Sequence, residues 1–309
     1  MKIAYILRGQ TRNRIVAARL FNKYTRQRLL EHDHTVHIYT WNHTNDSSRG
    51  QPNTARELDA SALKVQLNSL YSPETLTVGD DSHYKDLIIP FAESVDWSPV
   101  VVYSVLNQII ADMRAQDQLR AYCNLHNYTP DLIVDTRPEL FHWVHKSFYA
   151  DSKSTLDDNP NSVLVHKLSS TESNGMVQRY VSDYTFVYNM DTLIDMTTEN
   201  STTRITNALY SESNSLRMSG DGSWISHTLY PSIVHAKQNY ILMSIASMVP
   251  TVVIDERLEH EIHTTPPTSE RYYSYSDLQP IPSLSMKQRP PRDLDAIHTS
   301  ILNNSTNNG

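Results

Sequence analysis

The sequence predicts an α/β fold, a mixed sheet flanked by helices, with parallel strands in the first half of the chain. Short apolar runs, typical of strands buried in a sheet, occur at residues 2–7, 36–39 and 131–135. Helical patterns separate these runs. The clearest covers residues 100–126, where the apolar positions follow steps of three and one along a single stripe. This alternation of strands and helices is what predicts the fold class.

The other elements are predicted from the same patterns, in chain order. A helix follows the first strand as far as about Leu30, with Asn13 as a possible N-cap, and a weaker helix covers residues 54–70. Residues 42–53 are predicted to form a loop, and residues 151–161 are a polar stretch between elements. Later strands are predicted at residues 76–78, 162–166, 181–189 and 251–254, and later helices at 190–200 and 224–240.

Two domains of unequal size are expected. Residues 1–255 should form the main domain, and residues 256–309 a polar, partly flexible C-terminal extension. The extension is rich in Pro, Ser and Asn from about Thr264, and such a composition cannot bury much apolar surface.

Composition excludes several classes of protein. Cys123 is the only cysteine, which rules out disulfides within the chain and cysteine-based zinc sites. No apolar run approaches the roughly 20 residues of a membrane span, and the first apolar run is too short for a signal peptide, so a cytoplasmic protein is expected. The formal charge of −7 gives no overall basic surface for nucleic acid. The common dinucleotide, P-loop and nucleophile-elbow fingerprints are missing from the sequence.

Charged residues gather at the carboxyl end of the predicted strand at residues 131–135. Pro138 cannot donate to a sheet ladder, so the strand should end shortly before it, with Asp135, Arg137 and Glu139 at or beyond its end. Open α/β sheets bind ligands at that edge. Two carboxylates suit a divalent cation, and a guanidinium suits a phosphate. A structural ion pair at a strand end is an equally good interpretation of these residues.

Four sequence blocks follow one another in order within residues 1–245. They are Arg8-Gly-Gln-Thr-Arg12, Ile38-Tyr-Thr-Trp41, Asp135-Thr-Arg-Pro-Glu139-Leu140 and Asp183-Tyr-Thr-Phe186. Together they resemble a family of bacterial and viral glycosyltransferases with a GT-A-like nucleotide-sugar domain. Members of that family carry Ser-Gly-Gln-x-Arg, His-Thr-Trp, Arg-Thr-Arg-x-Asp-Leu and Asn-Asp-x-Phe blocks. This chain departs from them in having Arg8 in place of Ser, Asp135 in place of Arg and Glu139 in place of Asp.

The resemblance implies a metal-dependent transferase that moves a sugar from a nucleotide-sugar donor to a hydroxyl acceptor, with Mn²⁺ or Mg²⁺ as cofactor. Residues 1–255 would then hold both the donor and the catalytic groups. Asp135 and Glu139 are expected at the metal or the donor sugar, and Asp183 or Asp221 is the candidate general base. For Trp41, packing in the core is the favoured alternative to stacking on the donor. The residues expected at the donor are Arg8, Gly9, Gln10, Arg12, Trp41 and Arg137.

The acceptor is more plausibly a glycan than DNA, because the net charge is negative. The run of arginines in the first helix keeps transfer to modified bases of phage DNA as an alternative. The replacements at Asp135 and Glu139 keep open a degenerate domain that binds a sugar nucleotide without turnover. An unrelated α/β nuclease or phosphatase is a further alternative, weakened because no second acidic cluster is evident.

The metal prediction is tested by Glu139→Ala. We expect this variant to lose metal-dependent binding of the donor while keeping its fold, because the substitution removes a carboxylate ligand at a strand end. Thermal shift with nucleotide sugars, with and without Mn²⁺, measures the loss. Unchanged binding in the variant would remove the acidic motif from the site.

Overall fold

The computed structural model describes residues 1–11, 14–45, 55–79, 99–138, 140–144, 147–165, 168–173, 176–181, 185–201, 203–204, 234–236, 238–243, 248–252, 271–273 and 281–282. Its helices are α1 (Arg14–Leu20), a π-helix (Phe21–Arg26), α2 (Gln27–Leu29), α3 (Ala60–Tyr71), α4 (Pro99–His126), α5 (Phe148–Asp158) and α6 (Met190–Met196).

The strands, in chain order, are β1 (Lys2–Arg8), β2 (Asp33–Trp41), β3 (His43–Asn45), β4 (Ala55–Glu57), β5 (Thr75–Gly79), β6 (Leu132–Thr136), β7 (Leu140–Val144), β8 (Ser162–Val165), β9 (Leu168–Ser173), β10 (Met176–Val181), β11 (Thr185–Tyr188), β12 (Asn239–Leu242), β13 (Met248–Val252), β14 (Arg271–Tyr273) and β15 (Ile281–Pro282).

A mixed sheet of eight strands organises the fold, in the order β14-β12-β8-β11-β6-β1-β2-β5. The strands β5, β2, β1 and β6 run parallel, as expected for the first half of the chain. The strand β11 is antiparallel to both of its neighbours, β6 and β8, while β12 is parallel to β8. The α/β class predicted from the sequence is therefore confirmed.

Helices cover both faces of this sheet, and each face has its own core. On one face, alternate residues of β1, including Ala4 and Ile6, pack with Ile133 and with the apolar stripe of α4. On the other face, Ile3 and Tyr5 pack with α1, α3 and α5. Residues that alternate along a strand point to opposite faces, so the position of a residue in β1 decides which core it joins. The side chain of Arg8 shares the α4 face with Ala4 and Ile6.

The π-helix lies within a continuous helical segment and keeps one face of that segment buried. The buried residues Ala17, Phe21, Thr25 and Leu29 are spaced by steps of four. In a regular α-helix each step of four advances about 40° beyond a full turn, so this row would wind away from the sheet. A π-helical turn is wider, because its hydrogen bonds join residues five apart, and it corrects that drift. It also brings Asn22 Nδ2 to 2.8 Å from the Leu70 carbonyl at the end of α3.

Most predicted elements are present, and five differ. The helix predicted over residues 54–70 begins at Ala60, because residues 55–57 form a strand. Residues 42–53 were expected to be a loop, but residues 43–45 form a short strand that pairs with residues 55–57. The polar stretch at 151–161 is largely helix α5, whose buried residues Phe148, Tyr149, Ser152 and Leu156 share one face despite the polar composition. The strand predicted at 181–189 is β11 alone, with Val181 ending β10 instead. The helix predicted over 224–240 is wrong at its end, because Asn239 and Tyr240 begin β12.

The expected boundary at residue 255 stays a prediction. Within the predicted extension, Arg271–Tyr273 pairs with β12 at one side of the main sheet, and Ile281–Pro282 pairs with β10. The rest of residues 256–309 lies outside the described part of the chain. In the described residues, no helix is long and apolar enough to span a membrane.

His37 in β2 makes the stability of the fold depend on pH. Its ring is buried, with Nδ1 2.9 Å from Thr75 Oγ1 and Nε2 2.9 Å from Thr35 Oγ1, and burial lowers the pKa of His37 from 6.5 to about 4. Below pH 6.5 the unfolded chain therefore binds a proton that the folded chain refuses until about pH 4. We expect this group to cost about 3 kcal/mol of stability between those limits.

The measurement is urea unfolding at a series of pH values. His37→Asn should lose this part of the pH dependence, whereas the same change at exposed His126 should keep it. Equal slopes for His37→Asn and the unchanged chain would contradict the assignment.

Candidate functional site

The carboxyl ends of β1 and β6 meet at a switch point in the sheet. From β1 the chain proceeds outward to β2 and β5, and α4 then returns it to β6 on the opposite side of β1. In open α/β sheets the loops diverge at such a point and leave a crevice in which ligands bind. The residues at this edge are Gly9 and Gln10 after β1, and Arg137 after β6. Two sequence blocks more than a hundred residues apart are thereby brought together, with Arg8 and Asp135 separated by 127 positions.

Gly9 makes the turn at the end of β1. Its φ of +99° lies in a region that residues with a side chain rarely adopt, and its N–H donates to the Tyr39 carbonyl at 3.0 Å. No atom of the described residues lies within 4 Å of the place where a Cβ would sit, so backbone conformation is what selects glycine here. The following residue, Gln10, is half-buried, and Thr11 is fully buried.

The Arg8 guanidinium lies in a buried ion cluster on the α4 face of the sheet. Its Nε donates to Asp135 Oδ1 at 2.8 Å and also pairs with Asp112 Oδ1 from α4. All three side chains have 0% exposure. We call Arg8, Asp112 and Asp135 the ion cluster. Because a buried charge is tolerated only when it is paired, the cluster ties the helix to the ends of two strands.

A shell of polar and aromatic side chains surrounds the ion cluster. The Tyr188 hydroxyl donates to Asp135 Oδ2 at 3.0 Å, and the Arg8 guanidinium lies 5.4 Å from the centre of the Phe186 ring. The His235 ring packs edge-on against Phe186 at 4.3 Å, and its Nδ1 is 2.8 Å from the Tyr240 hydroxyl. The cluster is therefore continuous with buried side chains from β11 and β12.

Burial controls protonation in this region. It raises the pKa of Asp135, while the Arg8 guanidinium opposes that rise by favouring the carboxylate. Burial, together with the positive charges of Arg8 and Arg204, holds the pKa of His235 well below its usual range. The His235 ring is consequently neutral at physiological pH.

The residues predicted to bind the donor lie at different places in the structure. Gly9, Gln10 and half-buried Arg137 lie at the switch point. The Arg8 guanidinium is directed into the ion cluster. Trp41 is buried in the α4-face core and packs at 90° against Tyr39, with ring centres 5.7 Å apart, which fits core packing. Four further predicted site residues lie outside the described part of the chain: Arg12, Glu139, Asp183 and Asp221.

Both oxygens of the Asp135 carboxylate are engaged by protein side chains, and its predicted role at a metal stays a prediction. One carboxylate oxygen is bonded to Arg8, the other to Tyr188, and the side chain is fully buried. Across the described residues, no group of three or more His, Cys, Asp or Glu side chains is placed to hold a metal ion. Glu139 falls beyond these residues, so its predicted role at a metal stays a prediction.

Sequence reasoning missed Asp112 and Tyr188. Asp112 carries a visible signal: it is an acid inside the apolar stripe of α4, directly after Ile109, Ile110 and Ala111. An ionised carboxylate on a buried helix face requires a partner, and that requirement could have led to Arg8. Tyr188 carries no comparable signal, because tyrosine is common in strands.

Comparison with models of known protein families finds no match, and comparison with curated protein sequences finds no significant match. That this chain is a glycosyltransferase therefore stays a prediction from the sequence motifs.

Asp112→Asn tests the energetic weight of the ion cluster. The substitution keeps the shape of the side chain but removes one of two carboxylates from a buried guanidinium, and breaking a buried pair in this way typically costs about 3–5 kcal/mol. Urea unfolding measures the free energy. The control is Asp157→Asn, at an exposed position of α5. There Lys153 Nζ lies 2.7 Å from the carboxylate, and an exposed ion pair of this kind is worth about 0–1 kcal/mol. Similar losses in both variants would refute the importance of the cluster.

Proposed function

We propose that this chain is a glycosyltransferase that moves a sugar from a nucleotide-sugar donor to a hydroxyl acceptor on a glycan, on a GT-A-like version of its α/β fold. The observation that carries the proposal is the convergence of the Arg8–Arg12 and Asp135–Leu140 blocks at the switch point. The two blocks are distant in the sequence, and the sheet brings their described residues to the edge at which α/β folds bind nucleotides.

The turn after β1 supplies groups suited to the donor. The Gln10 Oε1 and Thr11 Oγ1 atoms are buried and make no hydrogen bond to any described residue. A buried polar atom without a partner costs stability, and a bound ligand can satisfy it. The absence of a side chain at Gly9 lets a ligand approach the backbone, and Arg137, which directly follows the neighbouring strand β6, can pair with a phosphate.

Catalysis requires a group that takes the proton of the acceptor hydroxyl. Asp183 and Asp221 remain the candidates for that base, and Glu139 the candidate for holding Mn²⁺ or Mg²⁺. A bound divalent ion would stabilise the negative charge of the departing nucleotide diphosphate. No step is assigned to Asp135, because its carboxylate is already engaged with Arg8 and Tyr188.

A second candidate is a domain that binds the sugar nucleotide without turnover. The observation that favours it is the engagement of Asp135, which removes one of the two predicted metal ligands from reach of the donor. The two candidates share the donor site and differ in whether the sugar is transferred or the donor is left intact.

The proposal is tested by thermal shift of the full chain with UDP-, GDP-, CMP- and dTDP-sugars, each with and without Mn²⁺. One donor should raise the melting temperature, because a ligand at a hundredfold excess over its dissociation constant adds about 2.7 kcal/mol of stability. Donor consumption, followed by release of the free nucleotide, then separates a transferase from the binding domain. No shift with any donor would refute both candidates.

Gln10→Ala locates the donor. We expect a loss of donor affinity of about tenfold, equivalent to one lost hydrogen bond, while Gln27→Ala on exposed α2 leaves affinity unchanged. Isothermal titration with the donor identified by thermal shift provides the measurement. Equal affinities in the two variants would move the donor away from the β1 turn.

A further inference from the structure

We propose that Arg8 is the resident cation of the Asp112–Asp135 carboxylate pair, and that the ion cluster positions the Gly9–Gln10 turn instead of binding a divalent metal. The part that concerns positioning rests on the proposed function, because it is measured through donor binding. The part that concerns the metal depends only on the ion cluster itself.

Both carboxylate oxygens of Asp135 already have partners within the protein. A carboxylate that binds a metal must offer an oxygen to it, and here Oδ1 lies 2.8 Å from Arg8 Nε while Oδ2 accepts the Tyr188 hydroxyl at 3.0 Å. A divalent ion at this place would have to displace a guanidinium that a second carboxylate, Asp112, also holds. If the guanidinium stayed, its positive charge would repel a metal ion bound to the same two carboxylates.

The wider charge distribution points the same way. Arg204 is a second buried cation nearby: burial lowers its pKa to about 10, and its Nη2 donates to Gln116 Oε1 at 3.3 Å and to the Val234 carbonyl at 2.9 Å. Gln116 follows Asp112 by one turn of α4, so both arginines contact the same helix. A further cation here would therefore meet two guanidinium groups that already face α4.

Arg8 also lies directly before the turn that leads out of β1. Arg8 ends β1, and the next residue makes the turn with a φ of +99°. Because the Arg8 side chain is fixed to α4 and β6, the direction in which the chain leaves β1 is fixed as well. Gln10, whose Oε1 has no partner in the described residues, is oriented by that exit. Arg8 is therefore a positioning residue for the turn.

The two departures from the motif set belong together. Arg8 stands where the resembling family has Ser, Asp135 stands where it has Arg, and the two side chains contact each other. The positive charge is thus retained between adjacent strands but supplied by β1 instead of β6.

The metal part is tested by Asp135→Asn in the full chain, with Mn²⁺ as the probe. We expect Mn²⁺ affinity within twofold of the unchanged chain and a melting temperature lower by roughly 5 °C or more. The control is Asp131→Asn. Asp131 is exposed, directly precedes β6, and accepts the backbone N–H of Lys2 at 2.7 Å. A tenfold or greater loss of Mn²⁺ affinity confined to Asp135→Asn would overturn the proposal.

Tyr188→Phe covers the case in which Asp135→Asn does not fold. It removes only the hydrogen bond to Oδ2, so the melting temperature should fall less, again with unchanged Mn²⁺ affinity. Reduced Mn²⁺ affinity in this variant would also count against the proposal. Neither readout needs a nucleotide sugar, so failure of the proposed function does not affect them.

The positioning part is tested by Arg8→Met and Arg8→Lys, with donor affinity measured by titration. Arg8→Met replaces the aliphatic part of the side chain and removes the guanidinium, and it should lose donor affinity by tenfold or more. Arg8→Lys, which keeps the charge, should recover part of that affinity. Donor affinity equal to that of the unchanged chain in a folded Arg8→Met would limit Arg8 to stability and overturn its positioning role.

Discussion

A guanidinium buried away from water must find its negative partners inside the protein, and Arg8 finds them on two different elements. Asp112 belongs to α4 and Asp135 to β6, so one side chain links a helix to adjacent strands. Neither carboxylate could be buried in its charged form without the guanidinium, because an unpaired charge in the interior carries a large desolvation penalty. The placement of α4 over the sheet is consequently determined by charge as well as by the packing of its apolar stripe.

The ion cluster also connects the two halves of the sheet. Tyr188 reaches Asp135 from β11, Phe186 of the same strand lies beneath Arg8, and His235 joins Phe186 to Tyr240 of β12. The antiparallel strands are thereby held to the parallel ones through polar contacts that require definite geometry. Apolar side chains alone would tolerate small shifts between these strands, whereas hydrogen-bonded charges do not. This rigidity benefits the adjacent switch point, where a ligand must meet preformed groups.

More of the fold than of the candidate site could be predicted from the sequence. Strands β1, β2 and β6 are short apolar runs with clear limits, and their local patterns suffice. Helix α5 was not predicted, because most of its residues are polar and exposed. Its buried residues are Phe148, Tyr149, Ser152 and Leu156. For the site, the acidic motif located the right strand end, but a strand pattern does not reveal its neighbours in the sheet. The contact between Arg8 and Asp135 depends on β1 lying beside β6, which follows only from the assembled topology.

The π-helix at Phe21–Arg26 holds about one residue more than an α-helix would need for the same rotation. Its residues supply side-chain donors to the end of α3, from Asn22 to the Leu70 carbonyl and from Arg26 to the Tyr71 carbonyl. Deleting one residue there would leave an ordinary α-helix in which the residues that follow keep their direction, so Leu29 would stay in its core. Deleting a residue from a regular α-helical part of the segment would instead rotate everything that follows by about 100°. The π-helix is therefore a place at which this segment can lose a residue without turning its buried face away from the sheet, with the contacts of Asn22 and Arg26 to α3 at stake.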